Sequence, residues 1–154
     1  MAKQAKVLSS KEIRRVLTHI STQRHSVRNR TMFLTMYLAG LRVGECASLR
    51  YNNILDSHGN VMDQIILDTD QTKGRTGRVV FLGEKIRKEL RHYVKTYPPV
   101  SDDQILFYSQ KNPEQGFTPN TLCQFFHQLF RDCGLQGASS HSPRRTFITN
   151  LANR

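Results

Sequence analysis

Between about residues 54 and 82 the chain changes texture, and that change limits the folds open to it. Inside this stretch two short apolar runs, Ile65, Ile66 and Leu67, then Val79, Val80, Phe81 and Leu82, are separated by polar and glycine-containing segments, the pattern of a small antiparallel sheet. On either side the apolar residues recur at three- and four-residue spacing, the period of helices that bury one face. Ser9 followed three residues later by Glu12 makes a capping box, and Ile13, Val16, Leu17 and Ile20 then share a stripe, so a helix is expected over about 10–20. Met32, Phe33, Met36 and Tyr37 mark a second helix over about 27–39, with Gly40 placed to stop it, and a short third helix follows near 44–50.

Beyond the sheet, Ile86, Leu90, Tyr93 and Val94 predict a helix over about 84–96, ended by Pro98 and Pro99. Residues 105–108 are expected to be a short strand or an extended connector. Thr118 as N-cap with Pro119 at the first helical position opens a strongly amphipathic helix carrying Leu122, Phe125, Phe126, Leu129 and Phe130, which Gly134 stops. Ser142 and Pro143 repeat that cap logic for a last helix with an apolar stripe at Phe147, Ile148 and Leu151. At 154 residues one compact domain is expected, a mostly helical α+β fold with a small antiparallel sheet inserted after the third helix.

Charge narrows the partners. Lys and Arg number 23 against 12 Asp and Glu, a net +11 with pI near 10.1, spread along the chain rather than gathered in a tail. Such a surface attracts polyanions, nucleic acid before an acidic membrane, because each neutralised phosphate releases a counterion. No apolar run approaches a bilayer span, and the first ten residues lack the apolar core of a secretory signal. Cys46, Cys123 and Cys133 are odd in number, form no CxxC pair and lie in or beside helical patterns, so buried free thiols and a cytoplasmic location are expected.

Several chemistries are disfavoured. There is no phosphate-binding GxxxxGK[ST] loop, no HExxH, no carboxylate cluster suited to two-metal hydrolysis and no metal-ligand spacing among the histidines, so a metal-dependent nuclease is disfavoured. Gly74, Arg75, Thr76 and Gly77 match the GxxG of one class of RNA binder, but strand-like residues flank them and a hairpin turn is the expected structure. What remains is a set of cations near special backbone positions: Arg42 just after Gly40, Lys73 at the start of that turn, and His141 and Arg144 three apart at a helix start, where both side chains can converge on an anion. Singly, each has an ordinary reading: Arg42 as a partner of Glu45, Lys73 as a solvated turn lysine, His141 and Arg144 as a surface helix end.

In order and in context, these residues resemble the tyrosine recombinase family, the phage-integrase-like enzymes that cut and rejoin DNA. LSSKEIRRVL is similar to the first helix of the family's catalytic domain, AGLRVGECASL to the box of the first catalytic arginine, and HSPRRTF to the HxxR box, while Lys73 matches the lysine of the sheet hairpin. The resemblance covers most of the chain. It implies a tyrosine-recombinase-like catalytic core in which a tyrosine attacks a phosphodiester and leaves a phosphotyrosyl link, without metal or cofactor. Arg42 and Arg144 would hold the non-bridging oxygens, Lys73 would be general acid, His141 would bond the phosphate or assist proton transfer, Glu45 would support the site and Arg75 would contact DNA. Duplex DNA and other recombinase protomers are the implied partners.

Two departures from the family pattern follow. The nucleophilic tyrosine is placed by the family beyond the HxxR box, but no tyrosine follows Tyr108 here; Tyr37, Tyr51, Tyr93, Tyr97 and Tyr108 are expected in core or surface roles. The amino-terminal DNA-clamping domain usual in the family is likewise expected to be absent from residues 1–154. Residues 1–154 are therefore expected to be a partial catalytic domain that binds DNA but does not cleave it alone, with a non-catalytic DNA-binding regulator derived from such a recombinase as the rival, and an RNA-binding module as a further one.

Overall fold

The computed structural model describes residues 4–72, 74, 76–109 and 112–153; Lys73 and Arg75 lie outside the described residues. In chain order the elements are α1 (Ser10–Ile20), α2 (Ser26–Ala39), α3 (Val43–Ser48), α4 (Tyr51–Ile54), β1 (Gln64–Leu67), β2 (Arg78–Phe81), α5 (Glu84–Thr96), β3 (Tyr108–Ser109), β4 (Asn112–Gly116), α6 (Pro119–Asp132) and α7 (Ser142–Ala152). The expected mostly helical α+β architecture is what forms, with β1 and β2 paired antiparallel after the helices α1 to α4.

Helix α1 starts where its caps dictate. The Glu12 N–H donates to Ser9 Oγ at 3.1 Å and the Ser9 N–H donates to Glu12 Oε1 at 3.0 Å, satisfying two donors that the first turn would otherwise leave unpaired. Helix α2 is the centre of the domain, packed by α1, α3, α5 and α7 and buried on nearly every side. Its interior hydroxyls stay satisfied inside the helix: Thr31 donates to the Val27 carbonyl at 2.8 Å and Thr35 to that of Thr31 at 2.7 Å. Buried Arg28 donates from Nη1 to the Tyr108 carbonyl at 3.1 Å and stacks over the Phe117 ring, tying α2 to β3.

The third expected helix ends early, at Ser48. Leu49 and Arg50 are extended, and they pair with the connector expected at 105–108: the Leu106 N–H donates to the Leu49 carbonyl at 2.8 Å and Arg50 bridges Ile105. Helix α4 then starts at Tyr51. Tyr108 enters β3, whose partner β4 sequence reading did not anticipate, because NPEQG is polar, exposed at all but its last position and contains a proline that suits only an edge strand. In β1 and β2, Leu67 lies opposite Arg78 and Ile65 opposite Val80; this face is turned inward, while Ile66, Val79 and Phe81 are exposed.

Helix α6 is opened by Thr118, whose Oγ1 accepts from the Thr121 N–H at 3.1 Å, and buries Leu122, Phe126, Leu129 and Phe130. Helix α7 corrects two details of the expected pattern. His141, not Ser142, occupies the N-cap position; Ser142 is already helical and its Oγ accepts from the Ser139 N–H at 3.0 Å. Of the expected apolar stripe only Phe147 packs inward, since Ile148 and Leu151 are 49% and 46% exposed. Ser142, Pro143 and Thr146 form the buried face, where Thr146 Oγ1 accepts from the Leu8 N–H at 2.8 Å. Cys46 and Cys133 are buried free thiols and Cys123 is part-buried.

The tightest junction is that of α2 with α7. Gly40 ends α2 at φ 76°, a left-handed conformation, and a Cβ there would lie 2.3 Å from Phe147 Cδ1. Gly40→Ala is expected to lower the unfolding free energy by about 2–4 kcal/mol, combining left-handed strain with an overpacked contact. Urea denaturation measures this, and an unchanged midpoint would contradict the packing described.

Candidate functional site

The site is built on the corner after α2. The carbonyl of Gly40 accepts Arg144 Nε at 2.9 Å and Arg78 Nη2 at 3.4 Å, so one backbone oxygen ties the first turn of α7 and the start of β2 to the end of α2. Two residues on, Arg42 is the N-cap of α3, and its N–H donates to Glu45 Oε1 at 2.9 Å. Glu45 is buried and ringed by donors. Arg78 grips it with both arms, Nε to Oε2 at 3.0 Å and Nη2 to Oε1 at 2.7 Å, whereas Arg42 Nη1 stands 3.6 Å from Oε2.

Burial pushes the Glu45 carboxyl up, but hydrogen bonds from Arg78 and the Arg42 N–H, with the charges of both arginines, outweigh it and hold the group below its ordinary value of 4.5. It is therefore ionised. Arg144 is held below the ordinary arginine value by its own burial and then by repulsion from Arg42 and Arg78, an opposition that Glu45 partly relieves. Guanidinium groups stay charged at neutral pH, so these cations are crowded together and an added anion would relieve their repulsion.

These groups open onto a cleft of about 960 Å³ whose lining includes Arg42, Glu45, Thr72, His141, Arg144 and Arg145. His141 is exposed on its rim, its N–H donating to Ser139 Oγ at 3.2 Å. Arg144 uses only Nε on protein, and among the described residues nothing engages its two terminal nitrogens. The Arg42 side chain is 41% exposed. Two partly free guanidinium groups facing one cleft suit a tetrahedral oxyanion, with the fork geometry that a lysine lacks.

Four of the six residues singled out from sequence, Arg42, Glu45, His141 and Arg144, thus line one cleft. Lys73 and Arg75 lie outside the described residues; Thr72, just before Lys73, lines the cleft. Sequence reading missed Arg78, which grips Glu45 more closely than Arg42 does. Its signal was the two-residue period of β2, which places Arg78 on the same inward face as Val80. None of the five tyrosines lines the cleft. Tyr51 and Tyr93 are buried, donating to the carbonyls of Tyr97 and Leu106, and burial pushes both phenols up. Among the described residues no three His, Cys, Asp or Glu side chains gather as metal ligands, and no helix is long and apolar enough to cross a membrane.

The fold is shared with solved recombinases. A crystal structure of XerA recombinase superposes with a TM-score of 0.75 at 23% identity, over 99% of this chain and 51% of that one. The Tn1549 transposon integrase, solved in complex with circular intermediate DNA, gives 0.68 at 18% identity over 99% and 54%. In sequence, the tyrosine recombinase XerA of Pyrococcus furiosus is 23% identical over 150 residues, 97% of this chain and 49% of its own length. The XerD enzyme of Neisseria meningitidis serogroup A is 26% identical over 150 residues, 94% and 48%. The chain spans about half the length of the curated relatives it matches. The Phage integrase family profile matches residues 6–154, and the chain belongs to that family.

Because the Glu45 carboxyl binds its proton less tightly folded than unfolded, its stabilising pairing is complete above the ordinary carboxylate range and is lost as pH falls through the lowered folded value. Chemical denaturation below about pH 4.5 should therefore show a shallower acid loss of stability in Glu45→Gln than in wild type. Superimposable acid limbs would contradict the ion-paired Glu45.

Proposed function

We propose that this chain is the phosphate-gripping part of a site-specific recombinase or integrase that breaks and rejoins duplex DNA strands through a phosphotyrosyl intermediate. The observation that supports it is the convergence of Arg42 and Arg144 on one cleft beside the Gly40 carbonyl, in a chain of net charge +11 that belongs to the Phage integrase family. In this reading the two guanidinium groups bind the non-bridging oxygens of the scissile phosphate and compensate charge that grows in the transition state, each such donor being worth roughly 3–4 kcal/mol. His141, at the rim, bonds the same phosphate or passes a proton. Glu45 carries no chemistry of its own and fixes the backbone of Arg42. Lys73 serves as general acid to the leaving oxygen and Arg75 as a backbone contact.

A tyrosine that attacks a phosphate held there comes from none of the five in this chain, all of which stand away from the cleft. It is supplied by another segment or another protomer, which fits a reaction carried out by several recombinase copies on paired DNA. Neither metal nor nucleotide cofactor enters, since the protein–DNA ester conserves the bond energy. The buried free thiols of Cys46 and Cys133 fit a reducing, cytoplasmic setting.

Binding to duplex DNA should fall steeply with salt, and Arg42→Ala or Arg144→Ala should each reduce the log–log salt slope by about one while weakening binding. Fluorescence anisotropy over a salt series checks this; slopes unchanged in both variants would reject the phosphate assignment. Incubated with suicide duplex substrates, the 154-residue chain is expected to form no denaturation-resistant adduct, and an adduct at any of its tyrosines would overturn the division of roles.

A further inference from the structure

Glu45 and Arg42 are three residues apart at the start of α3, and they are opposite charges within side-chain reach. Left to themselves, such a pair closes, because a buried carboxylate takes the nearest cation available. In this structure it forms only a loose ion pair, with no hydrogen bond between the two side chains. The Arg42 guanidinium stands 3.6 Å from Oε2, and its exposed end faces the cleft. Both carboxylate oxygens are already occupied: Oε2 by Arg78 Nε at 3.0 Å, and Oε1 by Arg78 Nη2 at 2.7 Å together with the Arg42 N–H at 2.9 Å. Arg78 reaches them from β2, where the strand's alternation turns it inward opposite Leu67. The same Nη2 lies 3.4 Å from the Gly40 carbonyl on which Arg144 is anchored.

We infer that Arg78 is a positioning residue that takes the hydrogen-bonding positions of the buried Glu45 carboxylate and thereby limits Arg42 to a loose ion pair, leaving the rest of its guanidinium open to an anion in the cleft. Arg78 touches no substrate in this account; it acts through Glu45. A lysine at this position would neutralise the carboxylate but engage one oxygen at a time, so only the fork of arginine fills both. Neutralising Glu45 should make Arg78 dispensable, whereas a residue needed merely to hold β2 against α3 would not be relieved by removing its partner. The inference rests on the phosphate reading of the cleft.

The test is a titration of the 154-residue chain, labelled with ¹⁵N-arginine, with inorganic phosphate at constant ionic strength, following the Nε–Hε signals of Arg42 and Arg144 by NMR. In wild type both signals should move along one saturable curve. In Arg78→Met, phosphate binding should weaken about tenfold or more and the Arg42 signal should cease to follow it, while in Arg78→Met/Glu45→Gln binding should return to within about threefold of wild type. Wild-type affinity with a responding Arg42 in Arg78→Met would overturn the inference, as would failure of the double variant to recover. Should Arg78→Met not fold, the double variant, which buries no unpaired charge, decides alone: binding within about threefold of wild type supports the inference and a tenfold loss overturns it. If neither signal moves in wild type, the phosphate reading fails and the inference with it, an outcome distinct from the others.

Discussion

The carbonyl oxygen of Gly40 is the point on which the site depends. It can accept from Arg144 and Arg78 because α2 stops there in a left-handed turn that exposes the carbonyl, and because the missing side chain lets Phe147 of α7 pack against the turn. Residues 40, 78 and 144 are far apart in sequence, yet one backbone acceptor and one aromatic contact hold the end of the central helix, the start of β2 and the first turn of α7 in a fixed relation. Remove that corner and Arg42 and Arg144 lose their common frame.

Charge is arranged in two layers around it. The inner layer is closed: Glu45 is buried, ionised and fully hydrogen-bonded, chiefly by Arg78. The outer layer is open, since Arg42 is partly exposed, the terminal nitrogens of Arg144 have no partner among the described residues, and His141 stands on the rim. Paired charges deep in a protein add little net stability, but they fix geometry. Here the Glu45 side-chain oxygen that accepts the Arg42 N–H holds the backbone from which that cation projects, so a bound anion would meet cations already placed, with little ordering cost left to meet.

Local signals carried most of the fold. The Ser9–Glu12 box, the Thr118 cap and the Gly40 stop each act within a few residues, and each formed as the sequence implied. What escaped notice was non-local or weakly patterned. Helix α3 ends early because Leu49 and Arg50 turn aside to pair with Ile105 and Leu106, and β4 is polar throughout. Ile148 and Leu151 follow a helical period without being covered. In the site, the Arg42–Glu45 spacing was visible, but the stronger partner of Glu45 lies 33 residues away on a strand. Only the alternation of β2 hinted at it.

If the proposed site forms, Arg42 and Arg144 close on a single oxyanion beside the Gly40 corner. A crystal of this chain soaked with tungstate, a dense tetrahedral oxyanion, tests it directly. Anomalous density is expected in the cleft, with oxygens roughly 3 Å from guanidinium nitrogens of both arginines. Tungstate bound elsewhere at full occupancy, with that cleft empty, would contradict it.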